Sequence, residues 1–149
     1  MGLIDTAIAF AVKHHGDTED LRGEPYIWHP LRVALSLRAE GYSQPVQAVA
    51  ILHDTVEDTE ATLEDIETLA GSFVRDGVDA MTRRRNPDTG EWAETYMQYI
   101  ERCCKDILWR AVKRHDLYDN CDPRRHAPGV PKERYARALE YIQEKAGGY

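Results

Sequence analysis

The chain has 149 residues, which is the size of one ordinary domain, and we expect residues 1–149 to form a single domain. Its formal net charge of -7 argues against a non-specific nucleic-acid binder, because such binding depends on Lys and Arg contacts with phosphates. The three cysteines, Cys103, Cys104 and Cys121, have neither the number nor the spacing of a disulfide framework or a zinc ribbon, and no basic leader precedes residues 1–12, so we expect a cytoplasmic protein.

Apolar residues recur at helical spacing through nearly the whole chain, which predicts an all-α fold of about seven to eight helices. The first predicted helix spans residues 3–15 and ends before Gly16, and the second spans residues 29–40. A third, over residues 45–56, is apolar nearly all round and should therefore be buried. None of these segments reaches the roughly 20 apolar residues that a membrane span requires, so we expect no membrane partner.

The second half of the chain continues the helical pattern with more interruptions. Thr62 and Asp65 fit a capping box for a short helix that ends near Gly71. The helix after it is predicted to have an inner face of Phe73, Val74, Val78 and Met81. Residues 83–90 then form a charged loop. Two long helices, an irregular stretch rich in proline and a final helix follow, over residues 91–104, 105–120, 122–131 and 132–145.

The pair His53 and Asp54 carries the strongest chemical signal, because it lies inside the most apolar predicted helix. Burying an imidazole and a carboxylate is costly unless they are paired or bind a cation. Glu57 and Asp58 follow one turn later on the same two faces of the helix. A structural histidine beside a solvated acidic helix end would explain a lone His-Asp pair. Four polar groups on one buried helix instead favour a functional site.

His29 and Asp116 are further candidates whose individual signals are weaker. His29 precedes Pro30, which suits the first turn of a helix, so the imidazole is held near a helix start. Asp116 lies on a helix with an apolar inner side, and Asn120 follows one turn later on the same side as Asp116. Considered alone, His29 fits a cap or packing residue, and Asp116 fits a charged helix terminus.

Together these segments resemble the HD-domain hydrolases of the RelA/SpoT type, which include the small alarmone hydrolases. The two specific matches are G-x-P-Y-I-x-H-P over residues 23–30 and A-x-L-H-D-T-V-E-D-T over residues 50–59. Less specific matches are residues 14–16, Thr82 and K-x-x-D-x-x-x-N over residues 113–120. All of them occur in the order found in the family, so the resemblance implies an HD-domain helical bundle.

The resemblance also implies a role for each matched residue. Four residues match the family's ligands for one divalent metal ion, usually Mn²⁺: His29, His53, Asp54 and Asp116. Glu57 and Asp58 match its catalytic acidic pair, and Asn120 matches a residue that contacts the nucleotide. The implied activity is removal of the 3′-pyrophosphate from guanosine tetra- and pentaphosphate, (p)ppGpp. Two imidazoles and two carboxylates with open positions also suit an octahedral ion such as Mn²⁺ better than a closed structural zinc site.

Charge balance adds basic residues to the predicted site. Two ligand carboxylates offset the charge of a divalent ion, so Glu57 and Asp58 remain as surplus negative charge facing a phosphorylated nucleotide. Cations must therefore line the rest of the site, and Arg22 and Lys113 are the candidate substrate contacts. The arginines at positions 83–85 fit a solvated helix end better than a substrate contact.

The segment before Gly23 departs from the family that the chain resembles. That family usually has an Arg-Lys pair there, which packs on guanine and meets phosphate, whereas this chain has Glu19, Asp20 and Leu21, with Arg22 displaced. We therefore expect hydrolysis of guanosine and adenosine alarmones alike. The alternatives are an HD phosphohydrolase acting on NADPH or an ordinary nucleotide, and a catalytically silent nucleotide-binding module, which the intact ligand set disfavours.

Overall fold

The computed structural model describes residues 1–125 and 133–146, and within them it confirms the all-α prediction. Nine helices occur in this part of the chain. They are α1 (Leu3–His15), α2 (Trp28–Ala39), α3 (Gln44–Leu52), α4 (Thr55–Asp58), α5 (Leu63–Ala70), α6 (Ser72–Ala80), α7 (Tyr96–Cys103), α8 (Ile107–Asn120) and α9 (Glu133–Ala146).

Helix α3 is the centre of the hydrophobic core, as its apolar sequence predicts. It packs against α1, α2, α6 and α8, so neighbours cover it on several sides. Its buried side chains are those of Val46, Ala48, Val49, Ala50, Ile51 and Leu52. The polar residues that follow Leu52 therefore emerge from the most buried element of the fold.

The predicted helix over residues 45–56 is divided where its polar residues begin. His53 and Asp54 form a turn between α3 and α4, and Asp54 has backbone angles of φ -97° and ψ -5°. The side chain of His53 bonds the carbonyl of Ala50 at 2.6 Å, and the hydroxyl of Thr55 donates to the carbonyl of Leu52 at 2.7 Å. Side chains that take up the last carbonyls of a helix offer the backbone an alternative to helical bonding, which ends α3 at this point.

The helix boundaries in the second half follow local capping more closely than apolar spacing. The predicted capping box at the start of α5 is confirmed, since Thr62 and Asp65 bond each other's backbone N–H groups. A second box at Thr95 and Gln98 starts α7 five residues later than expected for the helix over residues 91–104.

Residues 91–95 belong instead to the charged loop, which is longer than predicted. The loop folds back on itself, because the N–H of Ala93 donates to the carbonyl of Arg84 at 2.9 Å and Arg85 pairs with Trp92 in an isolated bridge.

The inner face of α6 is buried at Val74 and Val78, whereas Phe73 is 46% exposed and its ring lies 5.2 Å from that of Trp109.

Gly77 allows α6 to approach α3 and α8 closely. A Cβ at this position would lie 2.5 Å from Cγ2 of Val49 and 2.7 Å from Cη2 of Trp109. We expect Gly77→Ala to lower the free energy of unfolding by about 1–2 kcal/mol, because overpacking outweighs the better helix propensity of alanine. Denaturant unfolding measures this change. Asp76→Ala, on the exposed side of the same helix, should stay within about 0.5 kcal/mol of the parent, and equal stability of the two variants would contradict the packing argument.

Two further sequence-based expectations concern membranes and the end of the chain. Among residues 1–125 and 133–146, each helix is too short or too polar to cross a bilayer. The irregular stretch predicted over residues 122–131 is described only as far as residue 125, and residues 126–131 lie outside the described part. The predicted last helix corresponds to α9, which packs against α7 and α8.

Candidate active site

His53 follows the last residue of α3 and is 1% exposed. Its Nδ1 donates to the main-chain carbonyl of Ala50 at 2.6 Å, which orients the ring so that Nε2 points away from the main chain. That Nε2 is buried and has no hydrogen-bond partner among the described residues. A histidine oriented by Nδ1, with a free and buried Nε2, has the usual arrangement of a metal ligand.

His29 is the second residue of α2 and has the same arrangement. Its Nδ1 donates to Oδ2 of Asp119 at 2.6 Å, while its Nε2 lies 2.9 Å from Oδ1 of Asp116. Asp119 is itself held by Nε of Arg32 at 2.8 Å. Both imidazoles therefore present Nε2 to the same place, one oriented by the main chain and the other by a side chain.

The two predicted carboxylate ligands meet these imidazoles. Oδ2 of Asp54 lies 3.1 Å from Nε2 of His53 and 3.8 Å from Nε2 of His29. Oδ1 of Asp116 lies 3.3 Å from Nε2 of His53. Helices α2 and α8 and the α3–α4 turn thus bring the four predicted ligand residues together around one point, although the chain separates His29 from Asp116 widely.

The electrostatics of this group fit a divalent cation. Burial opposes protonation of His53, but the carboxylates of Asp54 and Asp116 raise its pKa well above the usual value. Burial also opposes ionisation of Asp116, yet Lys113 and His53 hold the pKa of this carboxyl well below its usual value. Positive charge is therefore favourable beside these carboxylates, and a divalent ion would supply it. Two imidazole nitrogens and two carboxylate oxygens are a suitable donor set for a borderline divalent ion.

Three polar side chains surround the carboxylates of this cluster. The hydroxyl of Tyr26 donates to Oδ2 of Asp54. Nζ of Lys113 donates to Oδ2 of Asp116 at 2.8 Å, and Nδ2 of Asn120 donates to Oδ1 of the same carboxylate at 3.2 Å. The predicted substrate contacts Lys113 and Asn120 thus lie at the site and orient a candidate metal ligand.

Glu57 and Asp58, on α4, lie beside the four candidate metal ligands. Carboxylate oxygens of Asp54, Glu57 and Asp58 all lie within 4.8 Å of one another. Oε1 of Glu57 accepts the backbone N–H of Arg83 at 2.8 Å. Desolvation raises the pKa of Glu57, and desolvation together with the charges of Asp54 and Glu57 raises the pKa of Asp58 to about 7. Asp58 can therefore exchange protons near neutral pH.

The acidic pair and three of the four candidate ligands, His29, Asp54 and Asp116, line one cavity of about 430 Å³, with His53 buried behind them. This volume falls within the range of small-molecule sites. Aromatic rings and guanidinium groups form its outer wall, where Arg134 lies 4.8 Å over the ring of Tyr96 and Arg83 lies 4.2 Å over the ring of Trp92. Glu19, an exposed residue, also lines the cavity. The cavity thus has aromatic rings and guanidinium groups in addition to the candidate metal ligands.

Arg22 is the predicted site residue that the structure does not bring to this cavity. Its guanidinium donates to the main-chain carbonyls of Pro123 and Arg124. Arg22 lines a neighbouring groove together with Trp28 and Arg32. A substrate contact through Arg22 stays a prediction.

Sequence reasoning wrongly favoured a solvated helix end for Arg83, which lines the cavity, and it missed three further residues that the fold places at the site. Asp119 orients His29, and a signal for it existed, because it lies one turn from Asp116 on α8. Arg125 donates to Asp119 at 2.8 Å and to Oδ1 of Asn120 at 3.0 Å. Arg125 and Arg134 have no motif around them. The first follows α8 and the second lies in the first turn of α9, and the fold brings both to the cavity lining.

The role of Asp119 leads to a prediction about metal affinity. Residues that orient a ligating histidine typically contribute about 10- to 100-fold to metal affinity. We therefore expect Asp119→Ala to weaken divalent-metal binding by about that factor, as measured by titration with Mn²⁺. Asp122→Ala is the matched control, since it removes a nearby carboxylate that pairs with exposed Arg124. Equal metal affinities for the two variants would show that Asp119 does not support metal binding through His29.

Comparison with known proteins finds one matching family, long relatives of which this chain corresponds to a small part, and a short relative of similar length. The HD domain family matches residues 7–112. The guanosine-3′,5′-bis(diphosphate) 3′-pyrophosphohydrolase of Aquifex aeolicus (strain VF5) is 37% identical over 118 residues, which are 78% of this chain and 17% of that protein. The chain thus spans a small part of this long relative. The Danio rerio guanosine-3′,5′-bis(diphosphate) 3′-pyrophosphohydrolase MESH1 is 32% identical over 151 residues, which are 98% of this chain and 83% of that protein.

Solved structures extend the comparison to the fold. A metazoan ortholog of SpoT that hydrolyses ppGpp matches with a TM-score of 0.75 and 24% identity, and the match covers 99% of this chain and 97% of that one. A protein from Listeria monocytogenes EGD-e matches with a TM-score of 0.56 and 28% identity, over 82% of this chain and 98% of that one. The helical arrangement that surrounds the candidate site is therefore shared with both proteins.

Proposed function

The chain belongs to the HD-domain family, and from that membership we propose that it is a metal-dependent hydrolase that removes the 3′-pyrophosphate from guanosine alarmones. The observation that carries the proposal is the meeting of two imidazoles and two carboxylates beside the acidic pair of α4, at the inner end of a cavity that His29, Asp54 and Asp116 line. The relative from Danio rerio, whose name states this activity, supports it over nearly the whole chain.

The metal-binding part of the proposed site consists of His29, His53, Asp54 and Asp116. An HD domain implies a divalent metal, and we propose Mn²⁺, because mixed imidazole and carboxylate donors with open positions suit that ion. When bound, the ion supplies polarisation of a phosphoryl oxygen and a lower pKa for water at the site. Asn120 and Lys113 keep the carboxylate of Asp116 turned toward this position.

Glu57 and Asp58 provide the proton chemistry in the proposed reaction. The N–H of Arg83 holds the Glu57 carboxylate in place, so that it can orient water toward the phosphorus atom and accept its proton. Asp58, whose pKa is raised to about 7, can take up or release that proton at neutral pH. A general acid or base of this kind contributes typically about 10²–10⁴-fold to the rate.

The outer wall of the cavity suits the rest of the nucleotide. The negative charges of Glu57 and Asp58 would repel a nucleotide that carries several phosphates. The substrate phosphates therefore require nearby cations. Arg83, Arg125 and Arg134 supply three guanidinium groups on the cavity lining, and guanidinium can bind phosphate in a bidentate manner. Tyr96 and Tyr135 offer rings on which a base could stack.

One observation favours adenosine alarmones as a second substrate class. Glu19 and Asp20 line the cavity where the resembled family has basic residues that pack on guanine, so that source of base selection is missing. We expect kcat/KM values for guanosine and adenosine 3′-pyrophosphates to differ by less than about 10²-fold, which corresponds to nearly 3 kcal/mol. Steady-state kinetics on the matched pair measure the ratio, and a larger preference for guanosine would show that other residues read the base.

The proposed function itself is tested with the purified protein and Mn²⁺ against a panel of nucleotides. Release of pyrophosphate from guanosine 3′,5′-bis(diphosphate), slowed by about 10²–10⁴-fold in a Glu57→Gln control, is the expected result. Turnover confined to NADPH or to ordinary nucleotides would replace the proposed substrate. Binding of the nucleotides without turnover of any of them would identify a silent binding module.

A further inference from the structure

A hydrogen-bonded path leads to Glu57 from a part of the fold outside the cavity. Its central unit is the peptide between Thr82 and Arg83. The N–H of this peptide donates to Oε1 of Glu57 at 2.8 Å, and the carbonyl of the same peptide accepts from Nη2 of Arg102 at 2.9 Å. A trans peptide is planar, with its N–H and C=O pointing in opposite directions. Arg102 therefore bonds the opposite end of the group that holds Glu57.

Arg102 is itself fixed by Glu94. Nε and Nη2 of Arg102 donate to the two carboxylate oxygens of Glu94 at 3.2 and 2.7 Å. Oε1 of Glu94 also accepts the backbone N–H of Arg84 at 2.9 Å. Because Thr82 and Glu94 lie at the two ends of the charged loop, the guanidinium of Arg102 fastens both ends of this loop to α7.

Two more contacts restrict the residues on either side of this peptide. The hydroxyl of Tyr99, also on α7, donates to the carbonyl of Met81 at 2.6 Å. The guanidinium of Arg83 donates to the carbonyl of Glu94 at 3.0 and 3.2 Å. Rotation of the Thr82–Arg83 peptide would break several of these bonds together. A cationic donor on the carbonyl also polarises the peptide, which strengthens the N–H bond to Glu57.

We propose that Arg102, paired with Glu94, is a positioning residue that aims the Thr82–Arg83 peptide at the Glu57 carboxylate. The assignment rests on the proposed function, in which Glu57 orients water and accepts its proton. Arg102 does not line the cavity, and its contact with the site passes through the Thr82–Arg83 peptide and the loop that it fastens. Its loss therefore misplaces Glu57 without removing any group from the metal cluster.

The experiment combines Arg102→Gln with Glu57→Gln in the full chain with Mn²⁺ bound. In the parent, Arg102→Gln should lower kcat by about 10- to 100-fold with little change in KM, because a small displacement of a catalytic group has effects of that size. In the Glu57→Gln background the same substitution should cause no further loss. Glu94→Gln should behave like Arg102→Gln, and the double variant should be no slower than either single variant.

Matched variants separate positioning from general damage. Arg75→Gln, which removes a guanidinium paired with Asp76 on the surface of α6, should leave kcat unchanged. Arg102→Lys retains a cationic donor and should recover part of the lost rate. An equal loss of rate from Arg102→Gln with and without Glu57 would overturn the proposal, as would an unchanged kcat.

A readout without substrate keeps this test independent of the proposed function. Amide hydrogen exchange of the Arg83 N–H, measured by NMR, should become faster in Arg102→Gln than in Arg75→Gln. Unchanged exchange at Arg83 would overturn the positioning role. Absence of turnover in the parent, with faster exchange at Arg83 in Arg102→Gln, would instead reject the proposed activity and support the structural link.

Discussion

His53→Ala and Asp54→Ala are each expected to lose bound metal and all measurable activity. His53 supplies a buried Nε2 with no other partner among the described residues, and Asp54 supplies a carboxylate oxygen 3.1 Å away. The remaining donors would be too few to hold a divalent ion tightly, because such sites depend on each ligand. Metal analysis of the purified variants, together with turnover of guanosine 3′,5′-bis(diphosphate), measures both effects.

Asp54→Asn and Asp76→Ala serve as controls for this first experiment. Asp54→Asn keeps the shape of the side chain and should lose metal even if Asp54→Ala folds poorly. Asp76→Ala removes a carboxylate from the exposed face of α6 and should retain both metal and activity. Full metal occupancy with normal turnover in His53→Ala or in Asp54→Asn would reject the ligand assignment.

Glu57→Gln should keep the metal and lose about 10²–10⁴-fold in kcat, the usual contribution of a general acid or base. The amide oxygen can still accept the N–H of Arg83, so the side chain should remain in place while losing its ability to take a proton. Metal content and kcat are measured on the same preparation. Release of the metal by Glu57→Gln would mean that this carboxylate is a ligand or its essential support.

The sequence was most informative where polar side chains occur within an apolar segment. His53 and Asp54 interrupt the most apolar helix, and this conflict identified them before any tertiary contact was known. The all-α class and the start of α5 were also predictable, because apolar spacing and a capping box are local patterns. His29 and Asp116 needed the resemblance, since their own surroundings in the sequence fit ordinary structural roles equally well.

Features that depend on tertiary contacts or on backbone detail were not predictable. Apolar spacing continues through residues 45–56, so it gives no sign that side chains bond the last carbonyls of α3 and end the helix. Arg125 reaches the cavity through its bonds to Asp119 and Asn120 of α8, and Arg134 reaches it through the packing of α9. Arg22 illustrates the converse, because a suitable charge at a suitable sequence position points instead toward the carbonyls of residues 123 and 124.

The different supports of the two imidazoles have a consequence for how this protein could change over evolution or by design. The partner of His53 is a peptide carbonyl, which exists whatever residue stands at position 50, so substitution cannot easily alter the setting of that ring. The partner of His29 is the side chain of Asp119, which a single codon change can remove or lengthen. If the site holds a metal as proposed, substitutions at Asp119 would change metal affinity at the α2 side of the site while the α3 side keeps a fixed geometry.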